Sequence, residues 1–374
     1  MNNLEVVSLT QTVRRKHEHV DISVKENVEI YEKNFFDEVD LIHKALPELD
    51  FEDVNTSTYF LGHKFSAPLI VVGMTGGYSL AEKINAEIAK AVEILGIGMG
   101  VGSQRAAIEN SSVIRTYTIV RKYAPNAFVI ANIGASQLKE YSIKDIRNIC
   151  DMIQADALAV HFNALQECVQ PEGEPNYSGV LEKLKVLCDE LDIPIIAKET
   201  GCGISKEVAV ELEAVGVKAI DIGGLGGTSF ALIESIRAEK MGQYDVSLIG
   251  RTFAYWGLST VISIIEVRSV TNLPLIASGG IRNGLMVAKS IALGADLAGM
   301  GLPVLKAVLE GGHKKAVNFL ERTIKELKVA MFLTGSRRII DLKRQPLILS
   351  DRIINWMKQR DIDYKKYTEK RMKA

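Results

Sequence analysis

Short, almost wholly apolar runs recur along the chain, and each one ends in glycine or in hydrogen-bonding side chains. They read PLIVVGMTGG (68–77), IGMGVGSQR (97–105), AFVIANIGAS (127–136), DALAVHFNA (156–164), PIIAKETGCG (194–203), KAIDIGGLGGTS (218–229), LPLIASGGIRNG (273–284) and DLAGMGLPVL (296–305). Their start-to-start spacings are 29, 30, 29, 38, 24, 55 and 23 residues, and a strand-plus-helix unit takes about thirty. Between them lie amphipathic segments such as SLAEKINAEIAKAVEILG (79–96) and SKEVAVELEAVG (205–216). Both open on a serine suited to N-capping and close on a glycine suited to C-capping. Strands apolar on both faces belong to a parallel sheet covered by helices. Eight units predict an α/β fold of the closed (β/α)8 TIM-barrel type. The alternative, a doubly wound open sheet, normally has fewer strands.

Three stretches fall outside this pattern. Residues 1–67 precede the first strand and carry the basic, histidine-bearing RRKHEH (14–19); residues 68–322 form the predicted barrel; residues 323–374 read as a helical tail. The segment 230–272 is too long for one helix and one loop, which predicts an inserted loop or lid before strand seven. The last ten residues hold five Lys/Arg and one Glu, the composition of a solvated end.

Composition narrows the function classes. Lys and Arg number 45 against 46 Asp and Glu, and 47% of residues are hydrophobic. That balance excludes predominant disorder and argues against a whole-molecule attraction to nucleic acid. The four cysteines, Cys150, Cys168, Cys188 and Cys202, form no CxxC pair, so neither a disulfide scaffold nor a structural zinc site is expected. The N-terminus lacks an apolar signal region, and no run approaches the ~18 apolar residues of a membrane span. A soluble, cytoplasmic protein is expected.

In such a barrel the chemistry sits where the strands end. Here those ends carry Thr75, Ser103-Gln104-Arg105, Asn132, His161 and Asn163, Lys198 and Glu199, and then three glycine-rich turns: GGLGG (223–227), Gly279-Gly280 and Gly301. Bare backbone ahead of a helix N-terminus cradles an anion, and the last strands of these barrels often bind a phosphate. Tight turns alone would also explain the glycines. Lys198 follows PIIA and must emerge in the barrel mouth, where a Schiff base, a cofactor-tuning cation or a plain ion pair with Glu199 or Glu167 are all open. His161 and Asn163 alternate on an extended strand and face one side. With Gln166 and Glu167 they suit Mg²⁺ held through one protein oxygen and substrate phosphates; standing alone, His161 would read as a core residue. RRKHEH alone would read as solvated surface, unless it folds over a mouth that holds a polyanion.

The set RRKHEHV (14–20), GMTGG (73–77), GSQRAAIE (102–109), ANIGASQ (131–137), HFNALQE (161–167), IIAKETGCGIS (195–205), GGLGGTSF (223–230), SGGIRNG (278–284) and GMGLP (299–303) resembles the type 2 isopentenyl-diphosphate isomerases. These are FMN-dependent barrel enzymes of isoprenoid biosynthesis, and the similarity runs from about residue 14 to about residue 345. The resemblance implies interconversion of isopentenyl and dimethylallyl diphosphate with FMN, Mg²⁺ and a reductant such as NADPH. It implies FMN contacts at Gly73, Met74, Thr75, Ser103, Asn132, Lys198 and Thr228, with the phosphate on Gly280, Ile281 and Arg282 and with Gly301 and Leu302 closing the site. It implies substrate contacts at Arg15, Lys16, His19, Ser103, Gln104, Arg105, Asn163 and Gln166, and Mg²⁺ on Glu167. Gln166, His161 and Lys198 become the catalytic candidates, and a homo-tetramer or homo-octamer is expected. Where the family commonly has Ala ahead of Leu-Pro after strand eight, this chain has Gly301, a position that would bind through its backbone.

Three rivals predict different residues or behaviour. A 2-hydroxyacid oxidase wants a histidine base near the late strands, and there is none between His161 and His313. A class I aldolase would use Lys198 as a Schiff base, and a scaffold or RNA-binding role would rest on the basic termini.

Overall fold

The computed structural model describes the backbone of residues 11–373 and the side chains of 12–368. Eight parallel strands close into a barrel: β1 (Leu69–Val71), β2 (Gly98–Gly100), β3 (Val129–Gly134), β4 (Ala157–Phe162), β5 (Ile195–Glu199), β6 (Ala219–Asp221), β7 (Leu275–Ser278) and β8 (Leu297–Met300), with β8 pairing back onto β1. The eight predicted runs each hold one strand. Their side chains are buried on both faces, as a helix-covered parallel sheet requires. Sequential pairing places Gly134, His161, Lys198 and Asp221 in one row across β3 to β6.

The helix over 205–216 forms as read, with the Ser205 side chain accepting from the Val208 N–H. The helix Ser79–Leu95 begins one residue earlier than expected: Tyr78 is its N-cap, and Ser79 makes no capping bond. Gly96 ends it in the left-handed region at φ 62°, as predicted.

The segment before β7 is not a loop. It folds into Phe230–Lys240 and Tyr244–Thr252, which pack on each other, and then Thr260–Val270, which returns the chain to the sheet. The first of these helices forms a wall of the mouth. In the N-terminal extension, helix Gln11–Lys25 crosses the mouth and packs on Phe230–Lys240. The hairpin Thr58–Phe60/His63–Phe65 sets Phe60 and Phe65 against Phe128 at the opposite, N-terminal end of the barrel. Helix Leu302–Leu333 runs through the expected boundary at 322/323, kinked at Gly311 and Gly312. Beyond it, strand Leu347–Leu349 pairs antiparallel with Val39–Leu41 of the extension, so the two flanking regions meet. The side chains of 369–374, most of the expected solvated end, lie outside the described residues.

Candidate active site

The C-terminal strand ends surround a cavity of about 270 Å³, roofed by helix Gln11–Lys25 and walled by Phe230–Lys240. On the late-strand side the backbone is packed tightly enough to exclude side chains. A Cβ on Gly279 (φ +106°) would stand 2.0 Å from the Gly224 carbonyl oxygen, and one on Gly280 (φ +74°) 2.0 Å from that of Gly226. Only glycine meets both the close approach and the left-handed backbone. Helices Phe230–Lys240 and Gly284–Leu293 start just beyond, capped by Ser229 and Asn283. This is a bare-backbone cradle with helix N-termini behind it, the chemistry an anion needs.

Gly73, Met74, Thr75, Ser103, Asn132, Lys198, Thr228, Gly280, Arg282, Gly301 and Leu302 all line the cavity. Ile281 departs from this set. Its side chain is fully buried in the core, so anything it offers the cradle is main chain. The Arg282 guanidinium bonds the Glu29 carboxylate and lies 5.4 Å from the Tyr31 ring centre. Glu29 also holds Lys306 at 3.3 Å, a carboxylate neighbour that sequence reasoning did not supply.

The opposite side of the mouth is cationic. Arg15, Lys16, His19 and Arg105 all line it. Lys16 donates to the Ser103 carbonyl and, at 2.9 Å, to the Tyr117 hydroxyl, both neutral oxygens. Burial and the nearby Arg15 charge pull its ammonium down to about 7. Arg105 is held by Glu109 at 2.6 Å and Glu174 at 3.4 Å. Gln104 corrects the expectation of a substrate contact. It is fully buried outside the cavity, its amide spent on the Asn132 N–H (3.0 Å) and the Ile149 carbonyl (2.7 Å). It braces the strand ends instead.

Between the two sides, His161 Nδ1 meets Asn132 Oδ1 at 2.7 Å. Burial, then the charges of Lys198 and Lys16, push the imidazole down to about 3, so it is neutral across the working pH range. Asn163 donates to Glu167 Oε1 at 2.9 Å, and the Glu174 N–H donates to Glu167 Oε2 at 2.9 Å. Among the described residues no cluster of three or more His, Cys, Asp or Glu could hold a metal.

Sequence reasoning missed the buried Asp221 and Glu234 and the half-buried Glu172, and named Glu199 only as a partner for Lys198. Lys198 pairs not with Glu199 or Glu167 but with Asp221, at 2.6 Å. Burial raises Glu199 to about 7, although the Gly201 and Cys202 N–H groups bond its Oε2. Glu234 is fully buried, with His19 at 2.7 Å, Gln166 at 2.9 Å and Arg237 at 2.6 Å. Glu172 bonds Arg237 at 2.8 Å and reaches toward Arg15 at 3.9 Å. With its amide nitrogen toward Glu234 and its oxygen toward Arg15, Gln170 completes this network. The network ties the roof helix, the segment after β4 and the inserted helices together.

A bare-backbone cradle on the late strands with a buried lysine across from it fits a flavin-binding barrel enzyme. Residues 131–349 match the family model described as FMN-dependent dehydrogenase. A lactate oxidase structure from Pediococcus acidilactici superposes with a TM-score of 0.64 over 93% of this chain and 96% of that one, at 17% identity, a likeness of fold. Relatives called isopentenyl-diphosphate delta-isomerase are far closer in sequence. The one from Pyrococcus horikoshii is 46% identical over 97% of this chain and 98% of its own length. That from Sulfurisphaera tokodaii is 48% identical over 94% of this chain and 96% of its own. The chain belongs to the isopentenyl-diphosphate delta-isomerase family, in its type 2, FMN-dependent branch.

Proposed function

We propose that this chain interconverts isopentenyl diphosphate and dimethylallyl diphosphate by a 1,3-proton shift, using reduced FMN and Mg²⁺, with NADPH as reductant of the flavin. The observation that carries the reading is the pairing, in one mouth, of a glycine-backbone cradle with a cluster of cations opposite it. The cradle and Lys198 fit a flavin phosphate and ring; Arg15, Lys16 and Arg105 fit a diphosphate. Lys16 supports this most directly, because a buried ammonium whose hydrogen-bond partners are neutral gains most from an arriving anion.

Each residue has a role. Gly280, Arg282, Gly301 and Thr228 would hold the phosphate end of FMN, and Gly73, Met74, Thr75, Ser103 and Asn132 its ring and chain. Glu167 would offer one oxygen to Mg²⁺, whose other ligands are substrate oxygens and water. Bound and reduced, FMN supplies an acid–base group at N5. One proton is gained at the terminal alkene carbon and one is lost from the allylic carbon on the other side of the branch, so the step balances and no net oxidation occurs. Gln166, its amide fixed by Glu234, and neutral His161 orient the substrate. The roof helix and Leu302 keep water from a tertiary cation. We assign the chain to the cytoplasm and to a homo-tetramer or homo-octamer on the strength of the family resemblance.

The test is an anaerobic assay with isopentenyl diphosphate. Dimethylallyl diphosphate should form with FMN, Mg²⁺ and NADPH together and not when FMN is omitted. Equal turnover without flavin, or full turnover with a flavin analogue that takes no proton at N5, would overturn the reading.

A further inference from the structure

Lys198, Asp221 and Ser278 stand at or one residue before the ends of three consecutive strands, β5, β6 and β7. Lys198 and Asp221 are register partners, so their side chains leave the barrel wall together. Lys198 Nζ donates to Asp221 Oδ2 at 2.6 Å, and the Ser278 hydroxyl donates to Oδ1. Asp221 is 3% exposed and Lys198 9%. Lys198 borders the mouth, whereas Asp221 borders only a small cavity beneath it, walled by Ile70, Ile130, Ile196 and Ile276. Both carboxylate oxygens are committed, to Lys198 and to Ser278, so Asp221 reaches the mouth through those two side chains, of which Lys198 alone carries charge.

We propose that Asp221 is the positioning residue for Lys198, keeping its ammonium charged and aimed into the flavin seat whether the flavin is oxidised or reduced. The inference rests on the reading of the mouth as an FMN site. A buried ammonium without a counter-charge sheds its proton. Among the groups facing Lys198, Asp221 is the carboxylate in hydrogen-bond contact with its ammonium, while Glu199 acts on it only through space. From β4 comes neutral His161, from β3 Asn132 and from β7 Ser278. The Glu199 carboxylate turns to the Gly201 and Cys202 N–H groups and offers Lys198 only its carbonyl, at 3.4 Å. Lys16 and Arg15, over the mouth, bring cations and no counter-charge.

The consequence is a proton count. With Lys198 charged throughout, two electrons and one proton convert bound FMN to its N1-deprotonated reduced form. In Asp221→Asn the lysine is neutral beside oxidised flavin, and the negative charge arriving on the ring draws a second proton onto Nζ. Potentiometric titration of the FMN-loaded protein with dithionite, repeated between about pH 8 and pH 9.5, above the values near 7 of Lys16 and Glu199, reads this directly. The wild type should take up one proton per two electrons and Asp221→Asn two. The uncharged pair Lys198→Met/Asp221→Asn, which leaves no buried charge unpaired, should return to one and keeps the test open if the single variant does not fold. One proton in Asp221→Asn, or two in the double variant, overturns the inference while leaving the flavin reading intact. A wild-type protein that takes up no FMN overturns both.

Discussion

Glu234→Gln isolates the charge on which the roof of the mouth depends. The substitution keeps the shape of a fully buried side chain and removes its charge and one of the two oxygens that accept from His19, Gln166 and Arg237. Burial alone would push this carboxyl up, but His19 and Arg237 hold it at about 2, against about 4.3 in an unfolded chain. A difference of about two pH units is about 3 kcal/mol of folding free energy. Because the folded value is the depressed one, that stability is complete above about pH 5 and disappears as pH falls toward 2. Urea titrations of wild type and variant should differ by about 2–3 kcal/mol at pH 7, with Arg237 keeping Glu18 and Glu172 as partial compensation, and by about half that near pH 3. The Michaelis constant for isopentenyl diphosphate should rise as well, since His19 and Gln166 lose their anchor. Equal stability at pH 7, or a deficit that does not shrink with acid, would refute the reasoning.

Other expectations follow from the same geometry. Arg105→Ala should raise the apparent substrate constant about tenfold or more, the cost of losing a charge-assisted contact, while changing FMN affinity little; equal loss of both would contradict the division of the mouth. Glu167→Gln should weaken the Mg²⁺ requirement curve, and an unchanged curve would remove Glu167 from the metal. Lys16, held at about 7 by burial and Arg15, is charged below that value, so substrate affinity should fall as pH rises through it. Lys16→Arg should flatten that dependence, and a profile identical to wild type would count against it.

The barrel was legible because its strands are apolar on both faces and end in a repeating chemistry. A helix-covered parallel sheet hides runs such as PIIA and DALAV, and a count of eight fits its closure into a barrel. Less of the site could be read. Lys198 was found, but its partner was sought among its sequence neighbours, whereas register supplies Asp221 from the next strand. The signal was present in KAIDIGG, a lone carboxylate at the end of an apolar strand. Glu234 and Arg237, three apart on a helix, look like a surface pair in sequence; the roof helix and the segment after β4 pack over them together. Gln104 misled for the converse reason, because a strand-end position does not say which way its side chain turns. The assignment of individual residues to flavin or substrate came from the family resemblance, since periodicity and spacing alone left Lys198 and the glycine turns open to several uses.

The central claim is that one mouth holds a flavin and a diphosphate side by side. Calorimetric titration of isopentenyl diphosphate, with Mg²⁺, into the reduced FMN-loaded protein and into the flavin-free protein tests it most directly. The loaded protein should bind one diphosphate per chain and retain its flavin throughout, with weaker binding to the flavin-free form. Displacement of FMN by the diphosphate, or binding that ignores the flavin, would contradict it.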